Sequence, residues 1–201
     1  MCSSDLSARR GGAEALARGS SGAAALGGDA RCFVEVHAPP TTLIIYGAGP
    51  VAAPLAAIAR TLGWRTVIVD ARERWATRER FPHADEIRTG IVGDIAEGFA
   101  YDRSTLVVIT AHDYNFELPV LRTVLRREPA YIGLLGSRKR GRALKEFLAA
   151  EGFAAEELAR VHVPVGLDLG AATAAEIALA VAAEALAARN GRPARPLSEG
   201  A

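Results

Sequence analysis

The sequence predicts an α/β fold in which a mainly parallel sheet carries helices on both faces. Three observations predict it. Short apolar runs alternate with stretches of helical period from about residue 42 to residue 189, the signature of repeated strand–helix–strand crossovers. The first run, Leu43-Ile44-Ile45-Tyr46, is followed at once by Gly47, Gly49 and Ala52 in G-x-G-x-x-A spacing. A second run, Thr66-Val67-Ile68-Val69, delivers Asp70, about 20 residues on, where the dinucleotide-binding form of such a fold carries its acid. The fold class is therefore Rossmann-like.

Each element has a local reason. The run at 43–46 has the length and apolar content of a strand buried on both faces. Residues 50–62 carry apolar positions at helical spacing, with Pro50 suited to the first turn and Gly63 as the stop. Residues 71–82 read as a polar loop with a helical turn, and Glu86-Ile87-Arg88 as a short third strand. Residues 104–110 form a buried strand and 116–127 a helix, with Pro119 expected in its first turn. Residues 131–135 follow as a strand and 139–151 as an amphipathic helix closed by Gly152. Val161-His162-Val163-Pro164-Val165 reads as a last short strand, with His162 as a structural histidine. Residues 173–189 read as an Ala-rich helix opened by the capping-box pair Thr173 and Glu176 and ended by Gly191 and Pro193.

Composition sets the frame. The chain has 201 residues, a net charge of +1 and 50% hydrophobic residues. That suits one domain plus tails. Balanced charge gives no electrostatic case for nucleic acid or an acidic membrane surface. No apolar run reaches the roughly 18 residues of a membrane span, and the first residues do not read as a basic region followed by a long apolar core, so a cytoplasmic location is expected. Residues 1–31 are rich in Gly, Ala, Ser and Arg and are expected to be a flexible tail, with at best a short helix near 13–18, or alternatively the remnant of another domain. The folded domain is expected at 32–190, beginning with a short strand at 32–37, and a C-terminal tail at 191–201. Cys2 and Cys32 form no C-x-x-C pair, so no metal site is expected.

In a parallel sheet of this kind ligands bind outside the carboxyl ends of the strands. Gly47 allows the turn, Gly49 lets backbone approach a phosphate, and Ala52 lets helix and strand pack. Asp70 is placed to accept from a ribose diol and favours a cofactor without a 2′-phosphate. Arg72 is placed either to neutralise such a phosphate or to pair with a neighbouring acid. His112-Asp113 read either as a general acid/base pair or as loop anchors. Gly136-Ser137-Arg138, followed by Lys139 and Arg140, is a second candidate anion site, since cations in a first helical turn oppose the helix dipole unless an anion is present. Asp168, between Gly166 and Gly170, either orients a ligand or braces its own loop.

Five stretches in order, LIIYGAGPVA, TVIVDARERWATRERFPHADEI, AHDYNFELPVL, YIGLLGSRKR and HVPVGLDLGAATAAEIALAVAAE, carry a resemblance that covers residues 34–189. They resemble the C-terminal Rossmann-like domain of the XdhC/CoxI family, accessory proteins of molybdenum hydroxylases such as xanthine dehydrogenase. The resemblance implies a non-catalytic chaperone that binds molybdenum cofactor, as molybdopterin or its dinucleotide form, and assists its sulfuration and insertion. It implies an apo molybdenum hydroxylase as partner and a cysteine desulfurase as sulfur donor. The family's cysteine-bearing N-terminal domain has no counterpart in residues 1–31, and no role passes to Cys2 or Cys32. The family's common GAGHVA wording stands here as GAGPVA, with Pro50 in place of a polar residue. Two other readings follow from the residues themselves. The glycine turn with Asp70 suits an NAD(P)-dependent oxidoreductase using His112 as proton donor, although no Tyr-x-x-x-Lys pair accompanies it. The small residues of the last helix suit a nucleotide-binding regulatory homodimer.

Overall fold

A computed structural model describes residues 10, 12–13, 21–27, 30–37 and 39–199. The chain divides into two compact units, 1–39 and 40–201. In the first, β1 (Gly22–Gly27) and β2 (Ala30–Val34) form an antiparallel hairpin with an irregularity between Ala25 and Gly27. The Ser21 hydroxyl accepts from the Val36 N–H at 2.8 Å. Two expectations change here. Part of the stretch read as tail is paired strand: Gly22–Gly27 lies opposite Ala30–Val34, whose backbone supplies the hydrogen-bond partners that composition alone does not reveal. The strand expected at 32–37 runs instead over Ala30–Val34. The helix expected near 13–18 lies outside the described residues, apart from residue 13 itself, which is helical.

The second unit is a six-stranded parallel sheet in the order β5-β4-β3-β6-β7-β8. Its strands are β3 (Thr42–Tyr46), β4 (Arg65–Asp70), β5 (Glu86–Thr89), β6 (Thr105–Ile109), β7 (Tyr131–Leu134) and β8 (Val161–His162). This is the doubly wound Rossmann arrangement, with the first strand of the unit at the sheet's centre. Helices α1 (Ala52–Thr61), α2 (Val92–Glu97), α3 (Tyr114–Leu125), α4 (Arg138–Ala150), α5 (Ala155–Ala159) and α6 (Ala174–Arg189) connect or cover the strands.

Strand alternation builds two cores. Leu43, Ile45, Ile68, Leu106 and Val108 meet Leu55 and Ala59 of α1 and Ala178, Val181 and Ala185 of α6. Their neighbours Ile44, Tyr46, Val67, Val107 and Ile109 meet α2, α3 and α4 through Ala96, Val120, Leu121, Leu144 and Leu148. Because side chains point to alternate faces, a strand apolar at every position is what two helical layers demand. The polar end of the second core is closed by the buried hydroxyls of Tyr46 and Tyr101, which hydrogen-bond each other, with Tyr101 donating on to the Ala96 carbonyl at 2.9 Å.

Helix and strand boundaries shift at several places. Asp113 caps α3, its Oδ1 accepting from the Asn115 N–H at 2.9 Å. The helix therefore starts at Tyr114 and Pro119 falls inside it, not in its first turn. The Asn115 carbonyl is left without its i+4 donor, since proline has no N–H. The last strand keeps only Val161–His162. Pro164, which cannot donate, interrupts the ladder, and beyond it the Val165 N–H still donates to the Leu134 carbonyl at 3.2 Å. The helices α2 and α5, each of six residues or fewer, show no sustained period that would mark them in the sequence. The capping box at α6 forms as the spacing predicts: Thr173 Oγ1 accepts from Glu176 N–H at 3.2 Å, and Glu176 Oε2 accepts from Thr173 N–H at 2.8 Å.

Candidate functional site

The carboxyl ends of β3, β4 and β6 surround a cavity of about 790 Å³. Its floor is the glycine turn. Gly47 has φ +110°, and a Cβ there would sit 2.8 Å from Thr110 Oγ1 and 2.9 Å from the Ala111 nitrogen. Only glycine fits where the turn out of β3 passes so close to the end of β6. Gly47 N–H donates to the Val69 carbonyl at 2.7 Å, and the Thr110 hydroxyl donates to the Gly47 carbonyl at 2.7 Å. Ala52 is fully buried against the sheet and does not line the cavity. Val51, the N-cap of α1, has no side-chain cap. Among the described residues no acceptor takes the N–H of Gly49 or Val51, and both residues line the cavity. Free N–H groups at a helix start attract an anion.

Asp70 and Arg72 form one wall. Asp70 is fully buried. Its Oδ2 accepts from Ala48 N–H at 2.7 Å and from Arg72 Nη2 at 2.8 Å. Its Oδ1 accepts from Arg72 N–H and Nε, each at 2.9 Å. Burial pushes the carboxyl's pKa up, but Arg72 and the two backbone donors outweigh that and hold it below the usual value. Of the two sequence readings for Arg72, ion pairing with a neighbouring acid is the one the structure forms.

His112 and Asp113 also line the cavity, both exposed. Asp113 is the cap of α3, and among the described residues no hydrogen bond joins it to His112. The other two candidates lie outside the cavity lining. Leu135 is part of the wall, but Gly136, Ser137 and Arg138 are not. Ser137 caps α4, accepting from Arg140 N–H at 3.2 Å, while Arg138 has no partner among the described residues. Arg140 is committed elsewhere: its Nη2 donates to Glu117 Oε2 at 2.7 Å, and its guanidinium stacks over Tyr114 at 4.1 Å. Asp168 lies in the loop between Gly166 and Gly170 and is not part of the cavity lining.

Residues not singled out from the sequence complete the cavity. Thr110 locks the glycine turn, and Trp75, Phe116, Leu135 and Ile177 give it apolar walls. A hydroxyl directly after a buried strand was the available signal for Thr110. Trp75 lay in a loop read only as polar. The cavity thus combines an anion-attracting floor with walls that suit a planar ring. Among the described residues no cluster of three or more His, Cys, Asp or Glu gathers in metal-binding geometry. No helix among them is long and apolar enough to cross a membrane.

Comparison with known proteins agrees with this architecture. The family model of the XdhC Rossmann domain matches residues 43–185. A Bacillus subtilis protein described as a probable xanthine dehydrogenase subunit is 31% identical over 157 residues, 78% of this chain and 46% of that protein. The molybdenum cofactor insertion chaperone PaoD of Escherichia coli is 36% identical over 88 residues, 44% of this chain and 28% of that protein. A crystal structure of a xanthine dehydrogenase from Bacillus halodurans superposes with a TM-score of 0.67 at 26% identity, covering 89% of this chain and 57% of that one. The chain spans less than half the length of these curated relatives. With the glycine turn, the strand order and the matched span all in agreement, the chain belongs to the XdhC family and carries its Rossmann domain.

Proposed function

We propose that this chain is the cofactor-holding module of a maturation factor for a molybdenum hydroxylase. The observation that carries the reading is the cavity itself: Gly49 and Val51 N–H groups on its floor that no described residue accepts, apolar walls, and no paired acid and base among the described residues that line it. This arrangement suits holding a ligand rather than transforming one. Molybdenum cofactor, as molybdopterin or its dinucleotide form, fits the test the turn supplies. A Cβ at Gly49 would have only the Thr110 carbonyl within contact range, at 3.8 Å, so the backbone lies open to a phosphate.

In this reading Gly49 and Val51 bind a phosphate oxygen, Thr110 and Asp70 keep the turn in shape, and Trp75, Phe116 and Ile177 exclude water from a ring system. When bound, the cofactor supplies the metal centre that the client hydroxylase uses. The name of the relative PaoD, an insertion chaperone, supports the role. An apo molybdenum hydroxylase is the partner to which the module passes its cargo, with a cysteine desulfurase as source of the terminal sulfur, in the cytoplasm.

The test is mass spectrometry of small molecules released from the protein purified from a host that makes molybdenum cofactor. A molybdopterin species at near-stoichiometric amount is expected. Release of NAD(H) or NADP(H) alone would move the assignment to the nucleotide-dependent oxidoreductase or sensor, and release of neither would end the holding role.

A further inference from the structure

Asp70 is not available to a ribose diol. A carboxylate offers about four lone-pair sites, and here Ala48 N–H, Arg72 N–H, Arg72 Nε and Arg72 Nη2 fill them. Arg72 also neutralises the charge that would repel an anion. Beyond it the loop is cationic. The guanidiniums of Arg72 and Arg80 lie 5.1 Å and 4.7 Å from the Trp75 ring centre. Trp75 is a wall shared by two hollows, the main cavity and a second of about 560 Å³ lined with Arg74 and Arg80. Arg80 is held in place, its Nη1 donating to the Trp75 carbonyl at 2.7 Å. Arg74 has no partner among the described residues, and neither Glu73 nor Glu79 pairs with these arginines there.

We propose that the hollow formed by Arg74, Trp75 and Arg80 binds a dianionic phosphomonoester at the far end of the ligand held in the main cavity, in place of an unmodified ribose diol. The proposal rests on the reading that the cavity holds a nucleotide- or pterin-class ligand. It reverses the preference that Asp70 alone suggests. Guanidinium groups present paired donors that match a phosphate's oxygens. One of them is already oriented by backbone, which reduces the ordering needed on binding. Two carriers share this chemistry: a ribose 2′-phosphate on a nucleotide whose other phosphate sits at the glycine turn, and the single side-chain phosphate of a pterin lying in the reverse sense to that proposed for the main cavity, with its phosphate away from the turn.

Calorimetric titration of the full chain separates them. The probes are 2′,5′-ADP against 5′-AMP, and 6-hydroxymethylpterin phosphate against 6-hydroxymethylpterin. Each is run at low and high salt, on the wild type and on a folded Arg74→Ala/Arg80→Ala variant checked by circular dichroism. In one pair the added phosphate is expected to tighten binding by roughly tenfold or more, with the gain falling at high salt and vanishing in the variant. The responding pair names the carrier. No gain in either pair, or a gain that survives in the variant, overturns the proposal, whether or not the purified protein retains molybdenum cofactor. A protein that shows the gain but retains no pterin sinks the maturation reading and leaves this site standing.

Discussion

Asp70 Oδ2 accepts the Ala48 N–H at 2.7 Å across 22 residues of sequence, so the acid at the end of the second strand of the sheet domain holds the glycine turn at the end of the first. Arg72 completes the clamp from the other side. The folded carboxyl has a lowered pKa. A lowered acid pKa gives stability that is present above the unfolded value, about 3.9, and lost as pH falls through the folded one. Asp70→Asn is therefore expected to lower stability at pH 7 by about 1–2 kcal/mol. It should also flatten the loss of stability that the wild type shows on acidification below about pH 5. Urea denaturation across that range reads both; an unchanged acid slope would mean Asp70 is not the clamp.

The two turn glycines separate fold from binding. Gly47→Ala places a Cβ 2.8 Å from Thr110 Oγ1 at φ +110°. Strain of that kind is expected to cost about 2–4 kcal/mol, seen as a lower urea midpoint. Gly49→Ala meets only the Thr110 carbonyl at 3.8 Å and has no positive φ to oppose it. Its stability should stay within about 1 kcal/mol of wild type, while retention of a phosphate-bearing ligand falls. If Gly49→Ala unfolds the protein and Gly47→Ala does not, the roles assigned to the two are reversed.

The sheet was legible because its central strands carry unbroken apolar runs of three or four residues and its turns carry glycine, and both signals are local. Gly47, Gly49, Asp70, Arg72, His112 and Asp113 come to one cavity because strand ends share one edge, which the fold class alone implies. What stayed hidden depends on partners distant in sequence or on side-chain geometry. Nothing in the wording of residues 70–72 shows that Arg72 saturates Asp70 and does not leave it for a ribose. Nothing near Arg140 shows that Glu117, 23 residues earlier, draws it away from the candidate anion turn at Gly136-Ser137-Arg138. Trp75 was invisible for the opposite reason, since a single aromatic in a polar loop has no periodicity to mark it.

Glu117 and the half-buried Arg140 form a pair that should prove asymmetric under mutation. Glu117 is fully buried, and its Oε1 and the Nε of Arg140 have no partner among the described residues. Burial pushes the Glu117 pKa up despite the hydrogen bond and charge of Arg140. Arg140→Met leaves that carboxyl without its counter-charge and is expected to cost about 3–5 kcal/mol at pH 7. A raised acid pKa contributes stability that is present below the unfolded value and lost as pH rises through the folded one. The variant should therefore recover stability on lowering the pH from 7 towards 5. Adding Glu117→Gln should recover much of the loss at pH 7. Guanidinium denaturation of the single and double variants at both pH values decides it, and a pH-independent deficit would show that the charge is not the cause.

Glu184 is the hub of the sheet's far edge. Its Oε2 accepts from the Tyr131 hydroxyl and from Gly166 N–H at 2.8 Å, and its Oε1 lies 3.2 Å from His162 Nδ1. One side chain of α6 thus ties β7, β8 and the loop that leads into α6. Burial raises the carboxyl's pKa, but the hydrogen bonds from His162, Tyr131 and Gly166 outweigh it and leave the value lowered. Glu184→Ala strands the Tyr131 hydroxyl and the Gly166 N–H together, and is expected to cost about 2–4 kcal/mol. The loss should be largest near neutral pH and should shrink in acid, where the wild-type carboxylate is itself protonated. Hydrogen exchange locates the effect: amides of the 163–170 loop should lose protection in the variant while those of β3 and β4, on the other side of the sheet, change only by the drop in global stability. Equal loss at both places would make Glu184 a general contributor to the core and not a strap on this loop.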